Sequence, residues 1–335
     1  MPRIPPLVIG HRGAPGYRPE HSRASYELAL ALGVDAVEPD VVPTRDGVLV
    51  VRHENEISGT TDVADRPEFR DRRATKTVDG EMLTGWFTED FTWAELSTLR
   101  CRERLPGLRP ESTAFDDTEP VLRLRDVLDL VRDARGAREV GVVLEMKHAT
   151  YFSGIGFDVA ALVEHELRAA GWADGAHPLV VESFELSVLR RVRERGIRAT
   201  WIYLLEETGA PADLVAAHGA ASAPPYAQTL SPTGLDGLVG IVDGISVDRR
   251  MILDPDAHDR PRGPAAFVAE AHARGLLVYT WTCRAENAFL LTPFRTSADP
   301  AEIGRYAEEW AVIRDAAVDG VFVDHADLGV AFFRG

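Results

Sequence analysis

Short runs of β-branched and aliphatic residues alternate with amphipathic stretches along most of the chain. The runs cover residues 7–10, 36–42, 140–146, 179–183, 200–204, 244–247, 276–282 and 320–324. Between them lie segments such as SRASYELALALG, FDVAALVEHELRAAG, ELSVLRRVRERG, PAAFVAEAHARG and EIGRYAEEWAVIRDA. Their apolar positions recur three and four apart, and several close on the glycine expected just past a helix end. Near-continuous apolar strands separated by helices predict a parallel sheet covered on both faces. Eight strand-helix units favour closing that sheet into a (β/α)8 TIM barrel over leaving it open and doubly wound. Residues 1–335 are therefore expected to form a single barrel domain, with no sequence repeat, low-complexity tract or linker in evidence.

One stretch breaks the alternation. In PTRDGVLVVRHE, Asp46-Gly47 is a strong turn signal between two extended segments. Residues 48–53 are read as an antiparallel arm folding back on the second strand, which returns His53 to the height of Glu38 and Asp40. Residues from about 54 to about 120 then form an insertion over the barrel mouth, with FTWAELSTLR as its one clear helix. Insertions of this length are uncommon unless functional.

Polar residues gather where the runs end, and active sites of such barrels sit at the C-terminal ends of the strands. There the sequence places His11 with Arg12, Glu38 with Asp40, and Glu145 with Lys147. Residues two apart on a strand share a face, so Glu38 projects with Asp40 and Glu145 with Lys147. Three carboxylates converging in an apolar barrel repel one another, and one hard divalent cation, Ca2+ or Mg2+, is the simplest neutraliser. Taken singly, each carboxylate could merely pair with an arginine at the rim; their joint placement favours the metal. The sequence offers no Cys/His ligand cluster of the kind a dedicated zinc site uses. His11 and His53 titrate near neutrality and can act as a paired general acid and base. The other histidines are read as structural hydrogen-bonders, His21 as shaping the loop after Pro19-Glu20. Arg12 and Lys147 form an electropositive patch suited to phosphate, or pair with Glu38 and Glu145. Gly13 and Gly16 would let backbone N–H groups approach an anion. Phe184 and Trp281, at strand ends, are candidates for an apolar wall around substrate carbons.

Composition narrows the partners. A chain of 335 residues, 45% hydrophobic, can bury a large core, and its net charge of -16 argues against a nucleic-acid partner, which needs a basic stripe. An anionic substrate must therefore rely on local cations. No apolar stretch approaches the roughly 20 residues that span a bilayer, so stable membrane insertion is not expected. The sequence as given reads as cytoplasmic, with export the alternative if a leader lies outside it. Cys101 and Cys283 lie far apart and are read as reduced, half-buried thiols.

The segment GHRGAPGYRPEHSRASYELALALGVDAVEPDVVPTRDGVLVVRHE closely resembles the signature of glycerophosphodiester phosphodiesterases: an HRG opening, an E-x-D strand, and a second histidine after a T-x-D-G turn. TTDVADRPEFRDR, FTWAELSTLR, VLEMK, VESFE, VYTWTCRAEN and DGVFVDHADLGVAF extend the likeness over almost the whole chain. The resemblance implies that His11 and His53 are the acid/base pair, that Glu38, Asp40 and Glu145 hold the cation, and that Arg12 and Lys147 contact the phosphate. It further implies hydrolysis of a glycerophosphodiester to glycerol 3-phosphate and an alcohol, through a cyclic phosphate where the neighbouring glycerol hydroxyl is the nucleophile. Two positions depart from the usual pattern: Pro19-Glu20-His21-Ser22 stands where many members have P-E-N-T, and His53-Glu54 where they have H-D. The P-E-H form and TDVADR are closest to the branch that includes exported bacterial enzymes. Three other readings stay open: a phospholipase D of the sphingomyelinase D type, a catalytically silent barrel that binds a phosphorylated ligand, and a glycosidase, which would need paired carboxylates but not two histidines.

Overall fold

The computed structural model describes residues 5–134 and 139–335. Its strands are β1 (Leu7–Gly10), β2 (Ala36–Val37), β3 (Asp40–Pro43), β4 (Leu49–Val51), β5 (Ala74–Val78), β6 (Glu81–Gly85), β7 (Gly141–Met146), β8 (Leu179–Ser183), β9 (Thr200–Leu205), β10 (Gly244–Asp248), β11 (Leu277–Cys283) and β12 (Gly320–Val323). β1 pairs in parallel with β2 on one side and β12 on the other. β2 and β3 both pair with β7, and β7 to β12 follow in chain order. Counting β2 and β3 as one interrupted stave, eight parallel staves close the expected (β/α)8 barrel.

Two apolar layers hold it. Inside, Ile9, Ala36, Val143, Ile202, Tyr279 and Phe322 form their own cluster. Outside, the helices bury one stripe each against the strands: Val159–Ala170 turns Val159, Ala160, Val163, Leu167 and Ala170 inward and ends on Gly171, whose φ of 77° suits glycine. Complete burial of each large aliphatic or aromatic side chain stabilises the fold by about 1.5–3 kcal/mol. Isoleucine, phenylalanine and tryptophan residues of the insertion, among them Ile57, Phe69, Trp86 and Phe91, join the outer cluster.

Three expectations are refined. The run 36–42 is not one strand, because Pro39 has no N–H to give the ladder; its carbonyl still accepts from Glu145 N at 3.0 Å. The FTWAELSTLR helix shrinks to one turn, Trp93–Leu96, started by a Thr92/Glu95 capping box. It stops where the Ser97 and Thr98 hydroxyls donate back to the carbonyls of Ala94 and Glu95. The insertion also holds the antiparallel β5–β6 hairpin, whose Asp79-Gly80 turn (φ 48° and 92°) was signalled by the DG of TVDGEM. Both cysteines are free, as expected, but fully buried rather than half-buried.

The return arm is present. β4 runs antiparallel to β3, with Val51 opposite Val41 and Val50 opposite Val42. Arg52 N donates to Asp40 O at 2.9 Å, which sets the following residue, His53, at the level of the carboxylates. Among the described residues no helix is long and apolar enough to cross a membrane.

Candidate active site at the barrel mouth

Inward-facing positions climb each stave two residues at a time, apolar first and polar at the top. On β3 and β7 this brings Asp40 beside its register partner Glu145. Glu38, before the Pro39 break, completes a buried cluster in which one oxygen from each of Glu38, Asp40 and Glu145 lies within 4.8 Å of the others. Burial, then Asp40, Glu182 and Glu145, pushes Glu38 well above the usual carboxylate range. Burial also lifts Glu145, to about 7, although Lys147 Nζ lies 2.6 Å away. Asp40 moves the other way: burial disfavours its charge, but Lys147, His21 and Arg12 together outweigh it.

Arg12 sits in the left-handed region (φ 55°), which turns its backbone N–H onto Glu38 Oε2 at 3.0 Å while its guanidinium reaches Glu20 at 3.0 Å and Asp40 at 3.4 Å. The two readings of Arg12 and Lys147, salt-bridge partner and free cation, thus begin from the paired state. His21 does more than shape a loop: it is fully buried, with Nε2 at 3.1 Å from Asp40 and Nδ1 at 2.7 Å from the Tyr26 hydroxyl. The glycine expectation fails. The N–H groups of Gly13 and Gly16 already donate to Gly10 O and Asp324 O, and Gly16 is needed because the His325 ring would stand 2.8 Å from any Cβ.

The histidines are held alike. His11 Nδ1 lies 2.5 Å from Asp324, at the end of β12, and His53 Nδ1 lies 2.5 Å from Glu54. Burial, followed by the Arg12 charge, lowers His11 to about 4 despite Asp324. Burial, Arg12 and Lys147 keep His53 well below its ordinary value. Both rings are neutral near pH 7 in this arrangement, with Nδ1 engaged by a carboxylate. The insertion grips these carboxylates. Arg104 bridges Glu20 and Glu54, and Arg109 ties Asp324 to Glu286 and to the Pro15 carbonyl.

His11, Arg12, Glu38, His53, Glu145, Lys147, Phe184 and Trp281 line one cavity of about 650 Å³. Asp40 lies beneath it, fully buried. The Phe184 and Trp281 rings meet edge to face at 5.8 Å. His148, read as an ordinary hydrogen-bonder, also lines the cavity and pairs with Asp79 on the β5–β6 turn. Sequence reasoning missed Asp324, Glu54 and the two arginines, which come from distant segments. It also passed over Glu182, the register neighbour of Glu145, fully buried with neither oxygen hydrogen-bonded. Its position two before Phe184 on an inward-facing face was the available signal.

The model of the glycerophosphoryl diester phosphodiesterase family matches residues 11–328. The chain belongs to this family. It is 29% identical to a glycerophosphodiester phosphodiesterase of Arabidopsis thaliana, over 95% of this chain and 83% of that protein. A Haemophilus influenzae glycerophosphodiester phosphodiesterase is 24% identical, over 98% of this chain and 90% of the relative. Among solved structures, an Oleispira antarctica phosphodiesterase in complex with the product sn-glycerol-3-phosphate shares the fold with a TM-score of 0.63 at 18% identity, covering 99% of this chain and 98% of that one. The residues lining the mouth are thus those of a family whose members are named for cleaving phosphodiesters.

Proposed function

We propose that the protein hydrolyses glycerophosphodiesters to glycerol 3-phosphate and an alcohol, with His11 and His53 as the proton-transfer pair. Family membership supports the reaction class. The observation that carries the residue roles is that two carboxylate-anchored histidines open onto the cavity that also holds Arg12, Lys147 and the acidic cluster. With Nδ1 of each ring donating to Asp324 or Glu54, Nε2 is left to exchange protons with the substrate. One histidine takes the proton of the attacking hydroxyl, and the other delivers one to the departing alkoxide. Arg12 and Lys147 neutralise the phosphate, and Phe184 and Trp281 cover its carbon substituents.

The cluster suits a divalent cation. All its donors are oxygens, and Asp40 Oδ1 is buried with no hydrogen-bond partner, as a vacant ligand atom would be. Glu38, Asp40 and Glu145 would hold Ca2+ or Mg2+, which supplies charge stabilisation to the phosphoryl oxygens when bound. The deciding experiment incubates the purified protein with a panel of glycerophosphodiesters, with and without chelator, and assays glycerol 3-phosphate. No release from any of them in the presence of either metal would overturn the reading.

A further inference from the structure

We infer that the cavity selects diesters whose alcohol carries a positive charge, a quaternary or primary ammonium group. This rests on the phosphodiesterase reading above and names the substrate class of the same site.

The mouth is divided between two groups of strands. β1, β3 and β7 carry the histidine His11, the acidic cluster and Lys147. The remaining wall comes from β8 to β11, where the two-residue climb continues from Leu204 to Glu206, from Ser246 to Asp248 and from Tyr279 to Trp281. Leu204, Glu206, Asp248, Trp281 and Phe184 all line the cavity. Asp248 is the register partner of Trp281, and Glu206 directly follows Leu205, the partner of Val247. The Phe184 ring stands edge-on to Trp281 at 5.8 Å and to Tyr226 at 6.3 Å. Three aromatic rings and two carboxylates therefore share the end of the cavity away from the acidic cluster.

Charge at this end is unbalanced. The cationic side chains that line the cavity are each engaged elsewhere: Arg12 with Glu20, Lys147 with Glu145, Arg284 with Asp324. Glu206, by contrast, has no hydrogen bond or ion pair among the described residues. Burial and the neighbouring Asp248 hold its carboxyl above the ordinary range, and a cation between the two would relieve that repulsion. Other acids on this wall are occupied, Glu185 by Thr150 and Asp79 by His148. Aromatic faces attract ammonium groups through their quadrupoles, and Phe184 already presents its ring to Lys147 Nζ at 5.6 Å. A neutral polyol would leave Glu206 and Asp248 unmatched, and an acidic alcohol would be repelled.

The test compares kcat/KM for glycerophosphocholine and glycerophosphoethanolamine with that for glycerophosphoglycerol and glycerophosphoinositol, in protein supplied with the activating metal. The cationic pair is expected to lead by about tenfold or more, the scale of one well-placed cation contact. Glu206→Gln should shrink that ratio to within about threefold, and Glu206→Lys should reverse it. A wild-type ratio at or below one, or a ratio unmoved by both variants, overturns the inference while leaving the phosphodiesterase reading intact. Hydrolysis of none of the four removes both.

Discussion

His11 Nδ1 lies 2.5 Å from Asp324 Oδ1, although 313 residues separate them in the chain. Arg109 and Arg284 hold the second oxygen of Asp324, at 2.5 and 2.7 Å, so the carboxylate is fixed before it fixes the imidazole. Such a partner sets the tautomer and leaves Nε2 facing the substrate.

Asp324→Asn is therefore expected to lower kcat by about 10²- to 10⁴-fold with the fold retained, the scale seen when a catalytic histidine loses its orienting carboxylate. Metal affinity should stay near wild type, since Asp324 is outside the acidic cluster. Steady-state kinetics and a metal titration check both halves; an unchanged kcat would remove Asp324 from the positioning of His11.

His11→Ala and His53→Ala should each reduce turnover by at least about a hundredfold, the usual contribution of an acid or base. Combined, they should cost less than the product of the single effects, because the two groups serve one proton relay. A single variant that keeps wild-type turnover on a diester with a poor leaving group would return that histidine to a structural role.

The metal-free protein should lose stability as pH rises from about 5 to about 8, by the linkage of proton binding to folding. Glu145 is raised to about 7, and Glu38 and Glu182 are held high by burial first and by neighbouring carboxylates after. An unfolded glutamate titrates near about 4.3. Across the interval the folded state binds more protons, so the stabilisation is present at the acid end and is lost as these carboxyls ionise. Thermal melts in chelator read the sign directly. Adding Ca2+ or Mg2+ should flatten the dependence, and Glu182→Gln should raise the Tm at the alkaline end. A Tm that climbs with pH in chelator would contradict the argument.

Gly47→Val tests the return arm. Gly47 has a φ of 77° and closes the turn through N–H donation to Thr44 O at 2.9 Å, and a β-branched residue is strained there. Its Cβ meets Leu162 no closer than 3.5 Å, so the penalty is conformational rather than steric. The barrel, closed by other strands, should keep a near-normal melting temperature. His53 should shift, with kcat falling far more than substrate affinity. Outright unfolding would make the arm integral to the barrel, and unchanged kinetics would free His53 from this turn.

The barrel, its arm and its inward acidic cluster were legible because each depends on local signals: the strand-helix alternation, the Asp46-Gly47 turn, and two-residue spacing at Glu38, Asp40, Glu145 and Lys147. The anchoring carboxylates were not. Asp324 looks like any acid before a helix until β12 pairs with β1, and Glu54 looks like a surface residue until Arg104 arrives from the insertion. Glycines mislead for the opposite reason. Gly13 and Gly16 advertise open backbone, yet their amides are consumed by Gly10 and Asp324.

Closure of the barrel by β1 against β12 also sets an order of events during synthesis. The first strand leaves the ribosome some three hundred residues before the one it must pair with. Until then His11 has no Asp324, and the interior residue Ile9 has no Phe322 beside it. Contacts this distant in sequence form slowly. The nascent chain is thus inert until its last strand has emerged, and a cut that removes β12 would take the anchor of His11 with it.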